Sequence, residues 1–173
     1  MNFADRFKAP DQTAADVWLD ERLFSDMFHN SPVGMCILKG PEHRFLRTNA
    51  VFDKVFPGGS PIGKTVSEAF PEVRTQGIVE LLDEVYRTGK SITLIEKQLM
   101  LRGSDGELRR YYLDFMYQPY RGLSGEIEGI FYFGVDVTDK VHAMRRIEES
   151  EWRYRQIVET AQEGIWLLDR YHN

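Results

Sequence analysis

Phe28-His29-Asn30-Ser31-Pro32-Val33-Gly34-Met35-Cys36-Ile37-Leu38-Lys39 changes conformational character twice in a short span. Upstream, Leu23, Phe24, Met27 and Phe28 fall at i, i+1, i+4 and i+5, the stripe of a helix running from about residue 20 to residue 29. Pro32 stops that helix, because proline disfavours helical geometry in its predecessor and has no amide to donate. Gly34 to Lys39 is then an apolar run of strand length, whose alternation puts Cys36 and Leu38 on one face. Gly40-Pro41-Glu42-His43 reads as a turn and Arg44 to Thr48 as a second strand, giving a hairpin. Asn49 stands where its side chain can accept from free amides at the start of a helix over 50–56, which Pro57-Gly58-Gly59-Ser60-Pro61 ends.

Working outward, a loosely helical middle includes Ser67 to Pro71, and a longer helix spans about 77–88 with Ile78, Leu81, Leu82 and Val85 as its buried stripe. Gly89 follows as its C-terminal cap. Residues 91–102 alternate, with Ile95, Leu99 and Leu101 opposed to Glu96 and Gln98. Gly103 to Gly106 is a hairpin turn. Residues 110–120 set Tyr111, Leu113, Phe115 and Tyr117 against Tyr112, Asp114, Met116 and Gln118. After a turn at 122–125, residues 129–137 form a last strand rich in Phe, Tyr and Val. Two strands, a helical middle and three strands predict an α+β domain, an antiparallel sheet with helices on one face.

Flanking this domain at 21–138 are a polar leader at 1–20 and a helical linker at 139–160. Val137, Met144, Ile147, Tyr154, Val158 and Ala161 fall near heptad a and d spacing, interrupted by Lys140 and Glu151, so a coiled coil is expected there. The chain also resembles itself at a shift of 130 residues. Phe24 to Leu38 aligns with Tyr154 to Leu168, matching aromatics at 24/154, aliphatics at 27/157 and Gly34 with Gly164. The second copy stops at Asn173, so residues 161–173 read as the truncated start of a second repeat.

These are the residues that carry a family resemblance. Phe28 to Met35 resembles the opening of a PAS domain, and Arg44 to Phe52 its second strand and following helix with the Asn before it. Residues 125–138 are similar to the closing strand and its Asp-Ile-Thr signature, with Val137 in place of Ile. Glu148 to Arg155 resembles the linker joining such domains in sensor histidine kinases. The resemblance implies a five-stranded antiparallel sheet, a cavity between sheet and helices, and N-terminal and C-terminal flanking helices. It also implies a cytoplasmic sensory or regulatory domain of a bacterial-type (including hybrid) histidine kinase or related signalling protein, acting in a phosphorelay. The relay is expected at Asp136, Val137 and Thr138, passing ligand or partner state into the linker helix and on to an output domain. A ligand-free dimerisation or docking module is the alternative.

Composition narrows the chemistry. The chain has 173 residues, 42% apolar and 28% charged, enough for a packed core. A net charge of −5 argues against nucleic acid, which needs clustered cations. Cys36 is the single cysteine, which excludes an intrachain disulfide and a Cys-rich zinc site; no metal is expected. Nothing reaches the length of a membrane span, and the leader lacks a signal-peptide core. No phosphate loop, nucleophile elbow or metal-binding His/Glu pair is present, so no enzyme is expected. His142 reads as a solvated helix face rather than a phospho-acceptor.

Flavin sensors of this family carry a reactive Cys in the helical middle and a Gln on the last strand; here Lys64 to Phe70 has no Cys, and Gly134 occupies the strand position. Heme sensors offer a His from the long helix, absent here, while His29 and His43 read as solvated or capping. An unknown small organic ligand remains open. Its pocket candidates are Cys36, Leu38, Phe52, Phe56, Leu113, Phe115, Tyr117, Ile130, Tyr132 and Gly134, which equally suit a simple core. Gly134 marks either a ligand's approach or room for Phe70 or Phe56. Phe131, Phe133 and Val135 point the other way and, with Met144 and Ile147, are the candidates for a homodimer interface.

Overall fold

The computed structural model describes residues 14–170, with side chains described for 21–159. Residues 1–13 of the leader therefore lie outside the described residues. Its elements are α1 (Ala14–His29), β1 (Gly34–Lys39), β2 (Arg44–Thr48), α2 (Ala50–Val55), α3 (Val66–Ala69), a 3-10 turn (Pro71–Thr75), α4 (Ile78–Thr88), β3 (Ile92–Arg102), β4 (Leu108–Arg121), β5 (Ile127–Asp136) and α5 (Thr138–Arg170). The strands form one five-stranded antiparallel sheet in the order β2-β1-β5-β4-β3. The helices from α2 to α4 cover one face, and the main core lies between them and the sheet.

Local chemistry explains most of these elements. Asn49 is buried and makes four hydrogen bonds. Its Oδ1 accepts from the amides of Phe52 and Met35 at 2.9 Å each, and its Nδ2 donates to the carbonyls of Val33 at 2.8 Å and Phe28 at 3.2 Å. One side chain thus caps α2 and ties it to the end of α1 and the start of β1. Gly34 permits the same approach: a Cβ there would lie 3.3 Å from the Cα of Phe52. Thr65 and Glu68 form a reciprocal capping box on α3. α4 buries Ile78, Leu82 and Val85, each worth about 2 kcal/mol over exposure. Gly89 ends it at φ +67, returning its amide to the Val85 carbonyl.

Part of each outer edge of the sheet is occupied. Along β2, Phe45 donates to the Lys64 carbonyl and accepts from Gly63. Along β3, the Gln76 side-chain amide accepts from and donates to the backbone of Met100, at 2.7 and 2.9 Å, and Glu72 accepts from the Arg102 amide.

Several expectations need correction. Ile95 is 68% exposed rather than aligned with Leu99 and Leu101. Two residues of β3, Ile95 and Glu96, oppose the single Asp114 of β4, and this bulge reverses the phase of the strand. Ile92 and Leu94 face the core before it, Leu99 and Leu101 after it. Of the α1 stripe, Phe28 is buried, whereas Leu23, Phe24 and Met27 are exposed. Apart from these corrections, α5 runs to Arg170 through the residues aligned with β1, and residues 171–173 of the expected second repeat lie outside the described residues. A strand is stable only with a partner to complete its ladder, and a helix satisfies its backbone locally.

Candidate functional site

A cavity of about 40 Å³ sits between sheet and helices. Eight of the expected residues line it: Cys36, Leu38, Phe52, Phe56, Leu113, Phe115, Tyr117 and Tyr132. Ile130 is fully buried but does not line it, and neither does Gly134. Phe45, Val66, Phe70, Val73, Ile78 and Leu99 complete the wall. Phe45, Val66 and Val73 come from β2, α3 and the 3-10 turn, and Phe70 from the junction of the last two, segments too short to show a hydrophobic period in sequence.

The wall is largely aromatic. Phe52 stacks on Phe56 with centroids 4.5 Å apart and meets Tyr132 edge-on at 5.5 Å. Gly134 makes room for Tyr132: a Cβ at residue 134 would lie 2.0 Å from the Tyr132 hydroxyl oxygen. The glycine therefore accommodates its own strand neighbour rather than Phe70 or Phe56.

Three polar tips belong to this wall, and burial keeps all of them neutral. It pushes the Cys36 thiol well above its ordinary range, with a smaller contribution from Asp53. The same cause raises Tyr117, helped by Cys36, and Tyr132, helped by Tyr117, Cys36 and Asp136. The site offers a dry aromatic surface with neutral hydroxyl and thiol groups, and no thiolate nucleophile. At this volume the cavity admits a water molecule or two, against the roughly 300 Å³ or more that drug-sized ligands occupy. Accepting an organic molecule requires the covering helices to shift.

A second constellation joins the sheet to α5. The Thr138 amide donates to Asp136 Oδ1 at 2.9 Å, fixing the strand-to-helix turn. Thr138 Oγ1 accepts from the Tyr112 amide at 2.9 Å, and the Val137 amide donates to the Tyr112 carbonyl at 2.9 Å. Val137 and Val141 pack with Tyr112 in a small apolar cluster on the face opposite the cavity. Val137 thus belongs to the sheet contact and not to the heptad seam expected for it. Arg145 lies 4.8 Å from the Tyr112 ring centroid and donates from Nη1 to its hydroxyl at 2.8 Å. His142, exposed, meets the same ring edge-on. Tyr112 and Arg145 escaped the sequence reading; a large aromatic on the polar-facing side of β4 was the available signal.

The outer face of β5 carries Phe131 and Phe133, half-buried and 6.0 Å apart, with Val135 exposed beside them. Met144 and Ile147 are 50% and 59% exposed on α5, continuing to Trp152, Tyr154 and Ile157. The side chain of Ala161 lies outside the described residues. His43 is buried rather than solvated: its Nε2 lies 2.8 Å from Asp83 Oδ1, and its Nδ1 has no hydrogen-bond partner. It pins the β1–β2 turn to α4. His29 is exposed at the end of α1, its Nδ1 2.7 Å from the Ser25 carbonyl. Among the described residues, no three His, Cys, Asp or Glu side chains converge as metal ligands would, and no helix is long and apolar enough to cross a membrane.

Comparison with known proteins agrees with this architecture. A family model of the PAS fold matches residues 28–142. Among solved structures, an RNA-binding Light-Oxygen-Voltage receptor superposes with a TM-score of 0.60 at 14% identity, over 86% of this chain and 41% of the other. A Vibrio cholera VqmA–ligand–DNA complex gives 0.55 at 22%, over 69% of this chain and 52% of the other. The PAS domain of Bordetella pertussis BvgS gives 0.54 at 20%, over 78% and 98%. The chain thus spans about half or less of two of these three proteins and nearly the whole of the third. With a family model covering most of its length and the five-stranded sheet and helical cover in place, the chain belongs to the PAS family.

Proposed function

We propose that this PAS domain is a sensory and regulatory module of a cytoplasmic signal-transduction histidine kinase, non-catalytic in itself. It passes the state of its cavity, or of a bound partner, through Asp136, Val137 and Thr138 into α5 and on to an output domain. The observation that carries this reading is the continuity of the junction. Asp136 terminates a cavity-bearing strand and holds the Thr138 amide, Thr138 holds β4, and one helix leaves directly from that point. The kinase context is supported by the resemblance of Glu148 to Arg155 to the linkers of such proteins. Met144 and Ile147, exposed on α5, supply the seam of a parallel homodimer, and Phe131, Phe133 and Val135 an apolar sheet face to join it. A ligand, if one acts here, is a small organic molecule; flavin and heme lack their family partners in this sequence.

The test is Asp136→Ala in the full-length protein. The domain should stay folded, because the variant removes one exposed hydrogen bond, to the Thr138 amide, and nothing from the core, while autophosphorylation should cease to respond to its signal. Output that remains regulated sinks the relay.

A second reading is favoured by the size of the cavity. At about 40 Å³ it is nearly filled, as a ligand-free dimerisation or docking module would be. Native mass spectrometry separates the two readings. A dimer carrying a small retained mass supports the sensor, a bare dimer supports docking, and a bare monomer removes the seam on α5 from both.

A further inference from the structure

We infer that β4, acting through Tyr112, is a second route from the cavity wall to α5, one that meets the covalent exit along β5 at Val137 and Thr138 and reaches beyond it to Val141 and Arg145. This rests on α5 being the outgoing path, but it concerns a contact that exists within this chain alone. Along β4, successive side chains point to opposite faces. Leu113 and Phe115 form cavity wall, while Tyr112 and Asp114, their immediate neighbours, point to the face where α5 begins. Tyr112 contacts α5 directly, and Asp114 acts on it through β3.

Tyr112 holds it through its backbone, its ring and its hydroxyl, which also donates to Gln98 Oε1 on β3 at 3.5 Å. Its amide donates to Thr138, its carbonyl accepts from Val137, its ring packs on Val141, and its hydroxyl and ring face receive Arg145. Asp114 acts one step removed. Its Oδ1 accepts the Glu96 amide at 2.6 Å and so fixes the β3 bulge, where Glu96 sits at φ +49. That bulge aims the Glu96 carboxylate at Lys140, 3.3 Å away on the first turn of α5. A backbone shift at Leu113 or Phe115 carries Tyr112 and Asp114 with it, because they are consecutive residues of one strand. The helix start is thereby gripped at two points a turn apart, Lys140 and Arg145, both reporting on one strand.

The grip is small. Beyond the two Tyr112 backbone hydrogen bonds at Val137 and Thr138, it comprises a three-residue apolar cluster, one exposed ion pair, one Arg–Tyr contact and the edge of His142. An exposed ion pair adds little, so Tyr112 and Arg145 dominate. A contact of this size can open while the sheet stays intact, and that makes the first two turns of α5 releasable.

Hydrogen exchange on the 173-residue chain, read by mass spectrometry, tests this. Arg145→Met keeps side-chain length and helix propensity and removes the charge and the donor. Amides of 141–147 should exchange about tenfold faster, while α4 is unchanged. The decisive comparison is between two mild cavity-wall variants, Leu113→Val on β4 and Val73→Ala on the helical cover. Leu113→Val should speed exchange in 141–147, and should add nothing once Arg145→Met is present. Val73→Ala should leave α5 alone. Equal effects of the two wall variants, or an α5 indifferent to Leu113→Val, overturn the inference. The isolated chain suffices, so this failure is distinct from a failure of kinase output to respond.

Discussion

Removing the Asn49 side chain should cost this fold more than any other single polar deletion, and the structure sets the size of the loss. Asn49→Ala leaves the amides of Phe52 and Met35 without their acceptor and the carbonyls of Val33 and Phe28 without a donor. A lost helix cap costs about 1 kcal/mol on its own. A buried amide left unpaired costs a further ~1–3 kcal/mol, whereas the carbonyls lose less because partial satisfaction elsewhere is easier. The sum is about 3 kcal/mol, a large share of the ~5–15 kcal/mol that holds a typical domain. With a urea m-value near ~1.5–2 kcal/mol/M, the midpoint should fall by about 1.5–2 M with m unchanged. Asn49→Asp keeps the acceptor but faces two carbonyls with a carboxylate, so it should recover little of that loss. A midpoint shift below about 0.5 M for Asn49→Ala would refute the view that this residue joins three elements.

Gly134→Ala places a methyl against the Tyr132 hydroxyl, and overpacking of this kind costs about 2 kcal/mol; combined with Tyr132→Leu it should lose clearly less than the two separate losses, read by the same denaturation. Tyr117 and Tyr132 bind their protons more tightly folded than unfolded, so stability is intact below the ordinary tyrosine range and falls as pH rises through about 10. The slope should approach ~1.4 kcal/mol per pH unit for each tyrosine, and Tyr117→Phe with Tyr132→Phe should flatten it. Cys36, buried and held as a thiol, should react with an aromatic disulfide reagent only as fast as the chain opens; rapid labelling under native conditions would contradict its place in the wall.

The sheet was legible in the sequence wherever a face is buried along enough residues. Leu113, Phe115 and Tyr117 alternate cleanly, as do Cys36 and Leu38, and all five line the cavity. Asn49 was legible as a cap, although its reach to Met35, Val33 and Phe28 depends on tertiary approach that no local pattern encodes. What escaped has physical causes. The bulge at Ile95 and Glu96 depends on Asp114 from another strand, so an alternation read along β3 alone carried Ile95 to the wrong side. His43 looked like a turn residue because its partner, Asp83, lies 40 positions away. Val137 fits a heptad and a strand end equally well by spacing. The sheet decides between them, because Tyr112 is waiting there.

The partial covering of both sheet margins has a consequence for what this molecule does at high concentration. The Gly63–Thr65 segment lies against β2, and Gln76 with Glu72 occupies the donors and acceptors of β3 near Met100 and Arg102. The bulge at Ile95 and Glu96 interrupts the regular register of β3, which makes it a poorer template for another strand. Copies held side by side can therefore meet through faces or helices, while sheet-to-sheet growth is obstructed at Phe45 of β2 and at Met100 and Arg102 of β3. Gln76→Ala would free the amide and carbonyl of Met100, and fibril formation on prolonged incubation is where the loss would surface.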